Sequence, residues 1–276
     1  MKVSSFNRHF NTYCNDRICT MNEEIVVRVS NVSFSYPDKN NAVCDVSFTA
    51  SKGERIGIIG PNGAGKTTLF LIMCGILKPA QGTVQVNGNG IVPHAFNPEI
   101  TYLFQSPDDQ LFSSTVYDDV AFGPMNMNIT RESIKDRVEN ALEKVNLSEV
   151  AHKAPNHLSG GEKRMAAIAT ILSMLPDVIL FDEPTSNLDS KNRRDLINTL
   201  LSIDKLQIIA SHDLEFILET CSRVMIMDKG CVEADGSSAD IMSDTELMNK
   251  YHMEKPHSLY PHSHGEKTER GPTRKH

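Results

Sequence analysis

The chain has no apolar stretch approaching the ~20 residues that a bilayer-spanning helix needs. No membrane crossing is expected of it, though it can dock on a protein that crosses. Its first residues, Met1 to Phe10, contain no apolar core of a secretory signal. Positive charge is not in excess: 28 Lys and Arg face 35 Asp and Glu, a net charge of −7. That balance argues against a nucleic-acid partner, which calls for a basic face. The six cysteines, at 14, 19, 44, 74, 221 and 231, never fall into CxxC spacing. Free thiols in a reducing cytoplasm are the expectation. His9, Cys14 and Cys19 match no common metal-site spacing. No internal repeat is visible, so one copy of the fold is expected.

Against these absences stands one dense signal, Gly60-Pro-Asn-Gly-Ala-Gly-Lys-Thr67. The run before it, Arg55 to Ile59, suits a buried strand, and Thr68 to Cys74 reads as a helix. Strand, glycine loop and helix form the context of a phosphate-binding loop. Gly60, Gly63 and Gly65 let the backbone wrap an anion with its N–H groups turned inward, and the helix start adds its positive dipole end. Lys66 is placed to reach terminal phosphates, and Thr67 to offer a hydroxyl to Mg²⁺.

Residues 1–20 read as an extension outside the fold, with Met21 a candidate start. Ile25 to Tyr36 reads as one or two strands and Ala42 to Ala50 as another, an antiparallel section around the turn Pro37–Asn41. Tyr36, at the end of its strand, either stacks on an adenine ring or is a half-buried strand aromatic. Val84 to Gly90 reads as a strand entering a turn, and Ile100 to Phe104 as another strand. Gln105, at a strand end, either holds Mg²⁺ or a water, or is merely solvated. Thr115 suits the cap of a short helix, Val116 to Phe122, which Gly123-Pro124 is expected to break. In Arg131 to Val145 the apolar residues Ile134, Val138, Ala141, Leu142 and Val145 recur at helical spacing, so a helical subdomain over about 106–175 is expected. Ser159 and Glu162 have capping-box spacing before a helix running to Leu175, and the glycines Gly160 and Gly161 make that start a candidate second anion site.

Val178 to Asp182 is apolar throughout and ends in an acid, as a strand buried on both faces of a parallel sheet does. Asp182 is thereby expected at the carboxyl edge, where open α/β sheets bind ligands, as a Mg²⁺ holder through water. Glu183 follows as a candidate general base toward an attacking water. His212 ends another strand and is either a γ-phosphate contact or a surface histidine. Val224–Met227 and Cys231–Asp235 read as a closing hairpin, and Ala239 to Tyr251 as a final helix. The tail beyond Met253 reads as disordered. Five of the ten histidines fall at 252, 257, 262, 264 and 276, and either hold a borderline metal loosely or are solvated.

In that order, Gly60–Thr67, Gln105, Leu158-Ser-Gly-Gly-Glu162, Val178–Glu183, Ser186-Asn-Leu-Asp189 and His212 resemble the ATP-binding subunit of ABC transporters. The resemblance covers about 24–240 and is specific, because Leu-Ser-Gly-Gly is not shared with kinases or GTPases. It implies an α/β P-loop NTPase of the ABC ATPase kind, with a parallel core sheet, an N-terminal antiparallel β section and an inserted helical subdomain. Residues 241–276 then form a C-terminal helix and tail. The resemblance implies ATP and Mg²⁺ as cofactors. ATP contacts are implied for Tyr36, Gly60, Pro61, Asn62, Gly63, Ala64, Gly65, Lys66, Thr67 and Thr68, and metal contacts for Thr67, Gln105 and Asp182. Ser159, Gly160 and Gly161 are implied to meet the γ-phosphate held by a second subunit in a head-to-tail dimer, which Asp189 bridges. Glu183 is implied to be the catalytic base, His212 the switch histidine and Gln105 the sensor of metal and water. Tyr36 matches the aromatic that stacks on adenine, with Val43 beside it.

A narrower likeness follows. Phe104 to Phe112 and Val116 to Pro124 are similar to energy-coupling-factor importers, and Gly161 to Ala169 is similar to their cobalt or nickel branch. This implies a homodimer at the cytoplasmic face of the cell membrane, meeting integral-membrane transport subunits through segment 105–124. Glu162-Lys163 and Ser186-Asn187 depart from the family's more usual residues without touching a catalytic position. The alternatives are a vitamin-type importer of the same class, a soluble ABC ATPase acting on ribosomes or DNA, and a module that binds ATP without hydrolysing it. The single cassette, the acidic balance and the presence of Glu183 and His212 argue against the last two.

Overall fold

The computed structural model describes residues 24–260. The expected extension 1–20 and the tail histidines His262, His264 and His276 lie outside the described residues. In chain order the elements are β1 (Ile25–Tyr36), β2 (Lys39–Ser51), β3 (Arg55–Ile59), α1 (Lys66–Met73), β4 (Gln81–Val86), β5 (Asn89–Gly90) and β6 (Ile100–Leu103). Then come α2 (Val116–Met125), α3 (Arg131–Lys144), α4 (Gly160–Leu172), β7 (Val178–Asp182), α5 (Ser190–Leu201), β8 (Leu206–Ala210) and α6 (Leu214–Thr220). The chain closes with β9 (Arg223–Asp228), β10 (Cys231–Ser237), α7 (Ser238–Ser243) and α8 (Thr245–Lys250).

Two sheets result. One has four antiparallel strands in the order β2-β1-β4-β5, and the other has six in the order β10-β9-β3-β8-β7-β6. In the larger sheet β9, β3, β8, β7 and β6 are parallel, and β10 pairs antiparallel to β9 at the edge. Strand alternation divides its apolar residues between two cores. Ile56, Ile58, Val178, Leu180 and Ile208 pack with α1 and the antiparallel sheet. Ile59, Ile179, Phe181 and Ile209 pack on the opposite side with α4, α5 and α6. Val116 and Val120 of α2 and Val138 and Leu142 of α3 join that second core. Helices on one side and a second sheet on the other leave β3, β7 and β8 without a solvent face, which is why they are apolar runs.

The tail, expected to be disordered beyond Met253, is ordered as far as Tyr260, where the Ser258 N–H and hydroxyl donate to Glu215. Three further expectations are corrected. Gly123-Pro124 does not break α2, which runs through Pro124 to Met125. Proline removes the N–H that would bond the carbonyl four residues back. That carbonyl, on Val120, instead accepts a hydrogen bond from the buried Ser173 hydroxyl at 2.8 Å. Ser173→Ala is therefore expected to lower unfolding free energy by about 1–3 kcal/mol, because a buried acceptor loses its donor. Urea unfolding checks this, and an unchanged midpoint contradicts it. The expected final helix is two, α7 and α8, because Asp244 leaves the helical region (φ −74°, ψ 97°) and caps α8 through Leu247 N–H. The helix opened by Ser159 stops at Leu172, before Leu175, whose φ is +55°.

Candidate functional site

The loop between β3 and α1 depends on glycine where other chain comes close. A Cβ on Gly60, at φ +146°, would stand 2.0 Å from the Met227 carbonyl oxygen. One on Gly65, at φ +107°, would stand 2.3 Å from that of Ala42. The loop thus wedges between β2 and the β9–β10 turn, and Gly230 N–H donates to Ala64 O at 2.8 Å. Lys66 is buried, its Nζ donating to Gly60 O at 2.7 Å and Pro61 O at 3.2 Å. Burial lowers its pKa, while Glu183 and then Asp182 nearby act to raise it. An ammonium whose hydrogen-bond partners among the described residues are carbonyls, inside a backbone cradle that excludes Cβ atoms, suits a phosphate ligand.

Asp182 ends β7 and lies almost wholly buried. Its Oδ2 accepts the Thr67 hydroxyl at 2.7 Å and the Tyr102 hydroxyl at 2.9 Å. Burial pushes its pKa up, and those two donors pull against the shift. Hydroxyl and carboxylate oxygens beside a phosphate cradle are the donor set a hard, octahedral Mg²⁺ takes, so the residues present fit that ion. Glu183 is also buried and has a left-handed backbone (φ +47°). Left-handed non-glycine residues carry strain and cluster at functional sites. Glu183 Oε2 accepts from Ser211 Oγ at 3.1 Å and His212 N–H at 3.3 Å, and His212 Nδ1 lies 2.8 Å away. Adjacent parallel strands place these groups together: β7 delivers Asp182 and Glu183, and β8 delivers Ser211 and His212.

The other expected residues lie around this centre. Tyr36 is half-buried, its hydroxyl 3.4 Å from Thr68 Oγ1, so its ring sits by the start of α1. Val43 is buried opposite Phe34 in the antiparallel sheet rather than open beside Tyr36. Asn62 and Gly63 are exposed on the loop. The Gln105 side chain is exposed and makes no hydrogen bond among the described residues, while its carbonyl accepts from Arg164 at 2.6 Å. Ser159 caps α4 in a full capping box with Glu162, and with Gly160 it is exposed. Gly161 is pressed on the Asn192 side chain, 2.3 Å from where a Cβ would stand. Asp189, exposed, caps α5 through Asn192 N–H at 2.8 Å. The Ser159–Gly161 start therefore rests on α5, while the phosphate loop rests on β2 and the β9–β10 turn.

Segment 104–125 carries an apolar face whose residues are separated in sequence and brought together by the fold. Phe112 is 67% exposed and Phe122 51%, and their rings meet edge to face at 5.0 Å. Met125 is exposed beside them in sequence. Gln110 braces the segment, accepting Phe104 N–H and donating to Ala167 O and Thr170 Oγ1. No helix among the described residues is long and apolar enough to cross a membrane.

Known proteins resemble this chain over most of its length. Residues 43–186 match the family model described as "ABC transporter". A Synechocystis protein named as an ABC transporter ATP-binding protein is 47% identical over 233 residues, covering 84% of this chain and 82% of that one. The energy-coupling factor transporter ATP-binding protein EcfA of Methanothermobacter thermautotrophicus is 41% identical over 239 residues, 84% of this chain and 77% of that one. Among solved structures, CbiO1 from Clostridium perfringens, described as part of the ABC transporter complex cbiONQ, superposes with a TM-score of 0.71. It is 32% identical, and the match covers 83% of this chain and 94% of that one. With the phosphate loop, the paired acids of β7 and the family match in agreement, this chain belongs to the ATP-binding subunits of ABC transporters and is an ATPase coupled to transport.

Proposed function

We propose that this chain energises an importer of the energy-coupling-factor type for cobalt or nickel ions, as a Mg²⁺-dependent homodimer held peripherally at the cytoplasmic face of the cell membrane. The observation that carries the reading is the joining of Thr67, Asp182, Glu183 and His212 at the carboxyl edge of the parallel sheet, beside the phosphate loop. The relatives named EcfA and CbiO1 support the importer class, and the Gly161–Ala169 likeness supports the metal branch.

ATP phosphates lie along the loop Gly60–Thr67, where Lys66 exchanges its carbonyl partners for phosphoryl oxygens. Thr67, Asp182 and Gln105 would hold Mg²⁺, which when bound would neutralise charge on those oxygens. Glu183 takes the proton of the attacking water. Ser211 and the His212 N–H hold its carboxylate in place. A second copy brings Ser159, Gly160 and Gly161 against the γ-phosphate, Asp189 borders the joint, and Tyr36 stacks on the adenine. Catalysis is then mainly positioning and charge stabilisation in a site closed to bulk water. Closure moves the helical segment, and the exposed Phe112–Phe122 face within 105–124 passes the motion to the integral-membrane subunits.

Co-expression with candidate membrane subunits, followed by uptake of radiolabelled Co²⁺ and Ni²⁺, tests the reading, with Glu183→Gln as the blank. Accumulation of either ion that is lost in the blank is the expected result. Active ATP hydrolysis by the complex with no metal uptake contradicts the metal branch and favours a vitamin-type importer.

A further inference from the structure

Asp182 has a second hydroxyl donor outside the nucleotide loop. Tyr102 and Thr67 both donate to Asp182 Oδ2, but from different elements. Thr67 belongs to the start of α1, whereas Tyr102 is a strand residue of β6 paired opposite Leu180 of β7. The period of a strand puts Leu180 and Asp182 on one face, so Tyr102 stands beside Asp182 as part of the sheet itself. From this geometry we infer that Tyr102 is a positioning residue for the reaction: its hydroxyl holds the Asp182 carboxylate in the orientation that Mg²⁺–nucleotide binding uses.

Three observations support the role. Asp182 is only 3% exposed, so water cannot readily replace a lost donor. Thr67 has a single hydroxyl hydrogen and lies on the nucleotide loop, where it would hold Mg²⁺, so Tyr102 is the donor to Asp182 that stands apart from that loop. The Tyr102 ring is fixed between Phe70, at 6.2 Å, and Phe104, at 4.8 Å, both edge to face. Phe104 also precedes Gln105, and its carbonyl is held by Arg164 at 3.1 Å. The Tyr102 ring therefore joins the metal-side carboxylate to the root of the segment carrying Gln105.

The inference rests on the Mg²⁺ assignment made above, and the test separates the two. Calorimetry with a non-hydrolysable ATP analogue, in EDTA and across a Mg²⁺ titration, compares wild type with Tyr102→Phe. The half-saturating Mg²⁺ concentration is expected to rise about tenfold, the worth of one hydrogen bond to a charged group. Affinity in EDTA should stay within about twofold. Loosened packing would weaken binding in EDTA as well. An unchanged Mg²⁺ requirement in Tyr102→Phe, with a Mg²⁺-dependent wild type, overturns the inference. A wild type indifferent to Mg²⁺ overturns the metal assignment instead. Should Tyr102→Phe prove unstable, Tyr102→His, which keeps an N–H donor, is expected to need less Mg²⁺ than Tyr102→Leu, and equal requirements overturn the inference.

Discussion

Glu183→Gln is expected to lower steady-state ATP hydrolysis about 10²–10⁴-fold, the usual worth of a general base, while ATP binding persists. The substitution keeps the side chain's size and removes its proton acceptor. Its surroundings explain why a carboxylate is needed at this position. Ser211, the His212 N–H and the His212 ring converge on one oxygen, Oε2, of a nearly buried side chain. An amide presenting NH₂ there meets donors with a donor, and one presenting oxygen is too weak a base. Phosphate release assays check this, and substantial turnover in the variant refutes the assignment of the base. The left-handed backbone of Glu183 makes a separate point. Asp182 N-terminal to it continues the β7–β8 ladder, and the turn at Glu183 ends the ladder.

Lys66→Ala is expected to weaken ATP binding about 10–10⁴-fold. The lysine supplies one or two charge-assisted contacts to phosphate, each worth about 1.5–3 kcal/mol, and each 1.4 kcal/mol is a factor of ten. Among the described residues Lys66 bonds to carbonyls of its own loop, so the fold does not depend on an ion pair there. The variant should therefore melt cooperatively while losing nucleotide. Calorimetry decides the matter: unchanged affinity contradicts the phosphate assignment of the loop.

The centre of this site was legible because its signals are local. A glycine loop between an apolar strand and a helix, and an apolar strand ending in two acids, each carry their chemistry within about ten residues. What escaped was brought in by strand order. Tyr102 reaches Asp182 because β6 lies beside β7, and Ser211 reaches Glu183 because β8 does. Neither neighbour is stated by the residues themselves. The expected break at Gly123-Pro124 failed for a similar reason, since the hydroxyl that satisfies Val120 O comes from Ser173, far along the chain. Helix α6, with seven residues, is too short to display a helical period, yet Asp213 caps it and Gly57 makes room for its Ile217. The joining of Phe112 and Phe122 on one exposed face likewise depends on a fold of the chain between loop and helix.

ATP is proposed to close two copies of this chain, and that closure is the step from which transport would draw its force. Light scattering of Glu183→Gln with Mg²⁺ and ATP measures it directly. The account predicts twice the 30.7 kDa protomer mass with nucleotide and the protomer mass without it. A protomer mass under both conditions, with ATP bound at saturation, would contradict the head-to-tail homodimer.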